Sequence, residues 1–139
     1  MEYIIVLGKY KVAKDRLYTK THEWIKILDN EAIVGITDYA QQKLKNIVGV
    51  ELPEVGTVIE RGARLGVVES IKSVEDVYAP VTIKVTDVNK KLEEEPDLIN
   101  RDPYGDGWIV RGEVLNRDEV KELLSPEEYA KHVESEEHG

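Results

Sequence analysis

Apolar residues in this chain fall mostly in short runs of period two, broken at short intervals by Gly, Pro, Asp or Asn. Such a pattern predicts many short strands joined by tight turns. Residues 3–12 alternate weakly and predict an extra edge strand. Residues 24–28 and 32–36 are strand-like and flank Asp29-Asn30-Glu31, whose first two residues suit a hairpin turn. Asp38 followed by Gln41 has the spacing of a capping box, and Ala40, Leu44 and Ile47 then fall at i, i+4 and i+7. A short helix near 38–45 follows from that spacing. The next run, 47–52, ends at Pro53, and Gly56 marks a turn. Further strands are expected at 57–60, 64–69 and 74–79, and Val81–Thr86 alternates cleanly enough to bury one face only. Residues 92–107, rich in Pro, Gly, Asp and Asn, predict a loop with one helical turn, after which 108–110 resume a strand.

The C-terminal part changes period. Val120, Leu123 and Leu124 share a helical face. Ser125-Pro126-Glu127-Glu128 places an N-cap, a first-turn proline and a capping-box glutamate in order, and Tyr129 and Val133 then face inward. The tail 134–139 is expected to fray. The pattern as a whole predicts one domain, a small β-sandwich or barrel, divided into an N-terminal extension (1–16), a β core (17–116), C-terminal helices (117–133) and a tail (134–139).

Composition narrows the function classes. A length of 139 residues suits one domain with a real core. With 19 basic against 28 acidic residues the net charge is −9, which disfavours nucleic acid as a partner. The same charge serves solubility or docking to basic partner surfaces. Cysteine is absent, so any redox sulfur has to come from outside the chain. No segment approaches the roughly 18 apolar residues of a membrane helix, and no signal or transit peptide is evident. A cytoplasmic location without membrane partners is the expectation. His22, His132 and His138 show no recognisable metal-ligand spacing, so no metal site is expected, and His22 beside Trp24 reads as structural. No nucleophile stands next to a base, so no catalytic residue is assigned.

The most informative stretch is Gly66-Val67-Val68-Glu69-Ser70-Ile71-Lys72-Ser73-Val74-Glu75-Asp76-Val77-Tyr78-Ala79-Pro80. It predicts two short strands joined by a polar turn that displays Lys72 to solvent and to a modifying enzyme. The run resembles the lipoyl-lysine site of the glycine cleavage system H proteins, with its Glu-Ser-(Val/Ile)-Lys core followed by an acidic position and a Pro. The resemblance spans about residues 17–133. It is carried by Tyr18-Thr19-Lys20-Thr21-His22-Glu23-Trp24, Gly35-Ile36-Thr37-Asp38-Tyr39-Ala40-Gln41, Val50-Glu51-Leu52-Pro53-Glu54-Val55-Gly56-Thr57, the block Pro96 to Trp108, and Leu123 to Tyr129.

The resemblance implies an all-β, lipoyl-domain-like β-sandwich (a barrel-sandwich hybrid) of two antiparallel sheets, with a short internal helix and C-terminal helices. It implies lipoate on Lys72, with Glu69, Ser70, Ile71 and Ser73 forming the turn that the attaching enzyme recognises. Thr21, Glu23 and Asp76 are the residues implied to line an arm cleft. The implied role is a non-catalytic carrier that takes an aminomethyl group from glycine decarboxylase (P protein) to the aminomethyltransferase (T protein). Dihydrolipoyl dehydrogenase (L protein) reoxidises it, and a lipoate ligase or octanoyl transferase attaches the cofactor. The dithiolane ring cannot reach the relaxed C–S–S–C dihedral, so it opens easily on reduction. A biotin carrier would flank its lysine with Met, and a 2-oxoacid dehydrogenase lipoyl domain would use an Asp-Lys-Ala type turn; neither fits. Ile83 and Lys45 stand where the family commonly has Gly, and Gly49 replaces a bulky residue. These departures, with the unmatched 3–12 segment, keep open a specialised H-like carrier serving lipoate relay or sulfur oxidation.

Overall fold

In the computed structural model, which describes residues 1–138, two antiparallel sheets face each other across an aliphatic core. Strands β1 (Tyr3–Val6) and β2 (Tyr10–Ala13) form a hairpin of their own. Then come β3 (Leu17–Tyr18), β4 (Glu23–Leu28), β5 (Glu31–Ile36), helix α1 (Asp38–Leu44), β6 (Ile47–Glu51), β7 (Val58–Ile59), β8 (Arg64–Ser70), β9 (Val74–Tyr78) and β10 (Ile83–Val88). Short helices α2 (Lys91–Glu94) and α3 (Leu98–Arg101), strand β11 (Val110–Val114), a 3₁₀ turn (Arg117–Glu122) and helix α4 (Pro126–His138) complete the chain. One sheet runs β3-β4-β5-β11-β10-β7 and the other β6-β8-β9. The expected β-sandwich of two antiparallel sheets is therefore the architecture found.

The pleat explains how one strand serves two cores. Along β4, Ile25 points between the sheets with Val34, Val68, Val77 and Ile83. Its neighbour Trp24 points to the opposite face and joins Tyr10, Tyr18, Tyr39, Tyr104 and Tyr129. This aromatic cluster is roofed by α4, whose Tyr129 stacks on Tyr18 at 4.5 Å between centroids. Arg16 is buried in it as well, 4.5 Å over Trp24, with its guanidinium donating to the Tyr104 carbonyl at 2.8 Å and to Asp15. Every buried side-chain polar atom among the described residues has a hydrogen-bond partner.

Several elements differ from the pattern-based expectation. The N-terminal segment does not extend a sheet edge; its hairpin packs against α1 and α4. The strand expected at Val81–Thr86 runs Ile83–Val88 instead. Thr82 leaves the ladder because its amide and hydroxyl both bind the Glu119 carboxylate, at 2.7 and 3.1 Å. The helix N-cap is Thr37, not Asp38: Thr37 Oγ1 accepts from the Ala40 amide, while Gln41 reaches the Asp38 side chain. The loop 92–107 holds two short helices rather than one turn. Val120 lies in the 3₁₀ turn, but Leu123 and Leu124 fall outside it, and Leu124 pairs with Tyr18. The Ser125–Glu128 capping box forms as expected, with reciprocal bonds of 2.9 and 3.1 Å.

The tail is also more ordered than expected. Helix α4 continues to His138, and Glu137 accepts from Tyr39 Oη and lies 2.8 Å from Lys43 Nζ. Gly139 lies outside the described residues.

The three departures from the family pattern find local accommodation. Ile83 is fully buried beside Gly112, where an added Cβ would come within 2.5 Å of the Ile83 side chain. Gly49 pairs with Glu69 across β6–β8, and a Cβ there would lie 3.1 Å from the Glu69 carboxylate, a tight contact. Lys45 ends α1 at φ 63°, ψ −140°, a conformation that strongly favours glycine. Lys45→Gly is therefore expected to raise stability by about 1 kcal/mol. Denaturant midpoints check this, and an unchanged or lower midpoint would show that the lysine side chain offsets its own backbone strain.

Candidate functional site

The lysine turn is built on a hydroxyl. Between β8 and β9, the Ser70 amide donates to the Ser73 carbonyl at 2.8 Å, closing the turn. Ser70 itself is buried, and its Oγ accepts from the Ser73 amide at 3.1 Å and the Lys72 amide at 3.3 Å. A short polar side chain at this position satisfies backbone donors that the turn leaves over. The Ile71 amide donates to the Asn46 carbonyl at 3.1 Å, which ties the tip to the loop after α1. That loop is pinned in turn by Asn100, whose side chain accepts from the Ile47 amide and donates to the Lys45 carbonyl at 2.7 Å. Lys72 is thus exposed on a backbone held from three directions, with Ile71 (69%) and Val74 (62%) exposed beside it.

Next to the turn lies a cleft of about 500 Å³. Lys72, Ser73, Asp76, Thr21 and Glu23 all border it, as do His22 and Tyr39 on its far wall. The sequence-derived arm-cleft residues Thr21, Glu23 and Asp76 are therefore brought together beside Lys72. The turn residues Glu69, Ser70 and Ile71 surround the lysine without lining the cleft.

Glu23 is the most constrained of them, at 1% exposure. One carboxylate oxygen accepts from the hydroxyls of Thr19 and Thr21, both at 2.5 Å. The other accepts from the Tyr78 amide of β9 at 3.1 Å. Burial pushes this carboxyl above the usual carboxylate range, and the hydroxyl and amide donors only partly offset that. Asp76 is exposed, and its nearest cation, Arg64, is 3.9 Å away, a pair of little energetic weight.

His22 has a positive φ of 74° and carries its ring into the aromatic cluster. Its Nδ1 is 2.8 Å from Tyr129 Oη and its Nε2 is 2.9 Å from Glu136. Both ring nitrogens are therefore engaged by side chains of α4. Tertiary folding also sets His132 against it, their ring centroids 5.4 Å apart, whereas His138 stays outside this group. Two functional features escaped the sequence reading. One is Asn100 as the strut beneath the turn, and the other is Glu136, which was assigned to a frayed tail. The Asn100 signal lay within the block Pro96 to Trp108, but pattern alone does not say which of its residues works.

A sandwich of this kind, with an exposed lysine on a braced hairpin tip beside a cleft, has the build of a carrier module. Comparison with known proteins gives the particular kind. The model of the glycine cleavage H-protein family matches residues 16–136. A probable glycine cleavage system H protein 1 of Sulfolobus acidocaldarius is 50% identical over 126 residues, covering 91% of each chain. The glycine cleavage system H protein of Carboxydothermus hydrogenoformans is 52% identical over 125 residues, covering 90% of this chain and 96% of that one. The crystal structure of the H protein from Mycobacterium marinum superposes with a TM-score of 0.81 at 40% identity, covering 86% of this chain and 97% of that one. The chain belongs to the glycine cleavage H-protein family, a family of non-catalytic, lipoate-bearing carriers. Among the described residues no helix is long and apolar enough to cross a membrane.

The raised Glu23 carboxyl makes a signed prediction. A group whose folded value is raised contributes stability that is complete below its unfolded value and is lost as pH rises through the folded one. Glu23→Gln has no such titration. The stability of the wild type relative to Glu23→Gln is therefore expected to fall as pH rises from about 4, the unfolded glutamate value, through the raised folded value. Paired denaturation curves check it, and a pH-independent difference would mean that the carboxylate is not destabilised by its burial.

Proposed function

We propose that Lys72 is the lipoyl attachment site and that the chain carries an aminomethyl group within the glycine cleavage system. The observation that supports this most directly is Lys72 on a braced, exposed turn beside a cleft that ends in the Glu23 and Asp76 carboxylates. When bound, lipoate supplies a dithiolane that accepts a carbon fragment and electrons together. The chain's own work is positional. The Ser70 hydroxyl fixes the turn so that Lys72 Nζ stands clear for an amide bond to the cofactor, and Glu69, Ile71 and Ser73 present the surface that a lipoate ligase or octanoyl transferase reads. A flexible arm tethered there makes its encounter with a docked enzyme effectively intramolecular.

In this reading the cargo nitrogen is an ammonium at neutral pH. Glu23 and Asp76 offer it anionic acceptors, and the Thr21 hydroxyl bridges Glu23 to the rim. The buried Glu23 carboxylate lacks a cationic partner among the described residues and gains one when the arm is parked. The carrier passes between the P, T and L proteins, in the cytoplasm with those enzymes. Lys45, Gly49 and Ile83 do not line the cleft, so the departures from the family pattern leave the arm's surroundings intact.

Intact mass and peptide mapping of protein from its native host tests the attachment. One lipoyl increment is expected on the Lys72 peptide and none in Lys72→Ala. An unmodified Lys72 in lipoate-replete cells would overturn the reading and point to a paralogue that kept the fold and lost or changed the job. Solvent loss of the aminomethyl group is a second test. Glu23→Gln and Asp76→Asn are each expected to speed it roughly tenfold, the worth of one hydrogen bond to a charged group. Unchanged lifetimes would remove both carboxylates from the role.

A further inference from the structure

Where α4 crosses the turn before β4, His22, His132 and Glu136 place one donor atom each within 4.8 Å of one another. We propose that this trio is a binding site for a divalent transition ion of the zinc type, fastening the last turns of α4 to the wall of the cleft. The proposal stands apart from the carrier reading and does not need Lys72.

The geometry suits such an ion. His132 and Glu136 are four residues apart on one helix, so their side chains share a face. The Glu136 carboxylate lies between the two imidazoles, one oxygen 2.9 Å from His22 Nε2 and the other 3.3 Å from His132 Nε2. A tetrahedral ion with bonds of about 2.0–2.2 Å sets neighbouring donors roughly 3.3–3.6 Å apart, so small side-chain rotations would centre it. The Lys20 carbonyl, 2.9 Å from His132 Nε2, accepts that ring's proton in the ion-free state and lies ready as a further oxygen donor. The cleft, lined by Lys20, His22 and Glu136, leaves the remaining side open to water.

A supporting shell is already in place. His22 Nδ1 faces Tyr129 Oη at 2.8 Å, and that hydroxyl faces Thr37 Oγ1 at 2.7 Å. Thr37 Oγ1 also accepts from the Ala40 amide. With an ion on Nε2, the proton moves to Nδ1, and the chain of hydroxyls turns to run from His22 through Tyr129 to Thr37. Ligating imidazoles typically have their second nitrogen held in this manner, and disturbing that contact weakens binding by 10- to 100-fold. Nearby, Lys43 is engaged by Glu137 at 2.8 Å.

The 139-residue chain contains no cysteine and three histidines, which makes the test clean. Zinc titrated by calorimetry against a competing chelator is expected to bind one to one. His132→Gln and Glu136→Gln should each weaken it at least tenfold, and Tyr129→Phe by a similar factor. His138→Gln should leave it unchanged. Cobalt in place of zinc should give visible ligand-field absorption that disappears in His132→Gln. Zinc should raise the unfolding midpoint of the wild type and not of His132→Gln. Glu136 is exposed, so its variant is expected to fold, which far-UV circular dichroism checks. Absence of stoichiometric binding, binding indifferent to His132→Gln and Glu136→Gln, or binding lost in His138→Gln would overturn the proposal.

Discussion

The two sheets meet at the functional end through one buried carboxylate. Glu23 begins β4 in the larger sheet, yet its side chain accepts from the backbone of Tyr78 at the end of β9 in the smaller one. A buried carboxylate is tolerated only where most of its lone pairs are engaged, and here two threonine hydroxyls and one amide take three of about four. The result is a fixed floor for the cleft. Thr19, Thr21 and the base of the lysine hairpin are all positioned by reference to the same two oxygens. An apolar residue could bury as well but would leave the Tyr78 amide unpaired and the turn at 19–22 without its anchor.

From that floor the remaining structure divides the labour. The aliphatic core between the sheets, from Ile25 and Val34 on one side to Val68 and Val77 on the other, supplies most of the burial and no chemistry. The aromatic cluster on the outer face of β4 holds α4, and through it His22 and Tyr39, which form the far wall of the cleft. The lysine turn projects beyond both. Its rigidity comes from Ser70 within the turn and from Asn100 below it, so the tip is exposed without being loose.

Much of this was legible from the chain alone. Period-two runs located most strands to within a residue or two, because a half-buried strand has to alternate. The Ser125–Glu128 cap was legible because its bonds are local. Errors arose where a distant side chain intervened. Glu119 captured Thr82 and shifted the start of β10, and Thr37 took the cap from Asp38 because its hydroxyl faces the helix and is anchored by Tyr129. The tail was expected to fray on its own composition. It is ordered because Tyr39, Lys43 and His22 wait for Glu136 and Glu137 on another surface.

Sequence by itself determined the strand-rich class, the hairpin bearing Lys72 and, through ordered motifs, the kind of carrier. These rest on local spacing and on residue identity, which a linear chain displays directly. Tertiary structure alone decided that Glu23 is buried and shared between sheets, that Asn100 braces the turn, and that His22 meets His132 and Glu136. Each of those depends on residues that lie 53 to 114 positions apart in the chain, as with Ile47 and Asn100 at one extreme and His22 and Glu136 at the other. No local period encodes such meetings, because only packing of the finished sheets and of α4 against them brings the groups within reach.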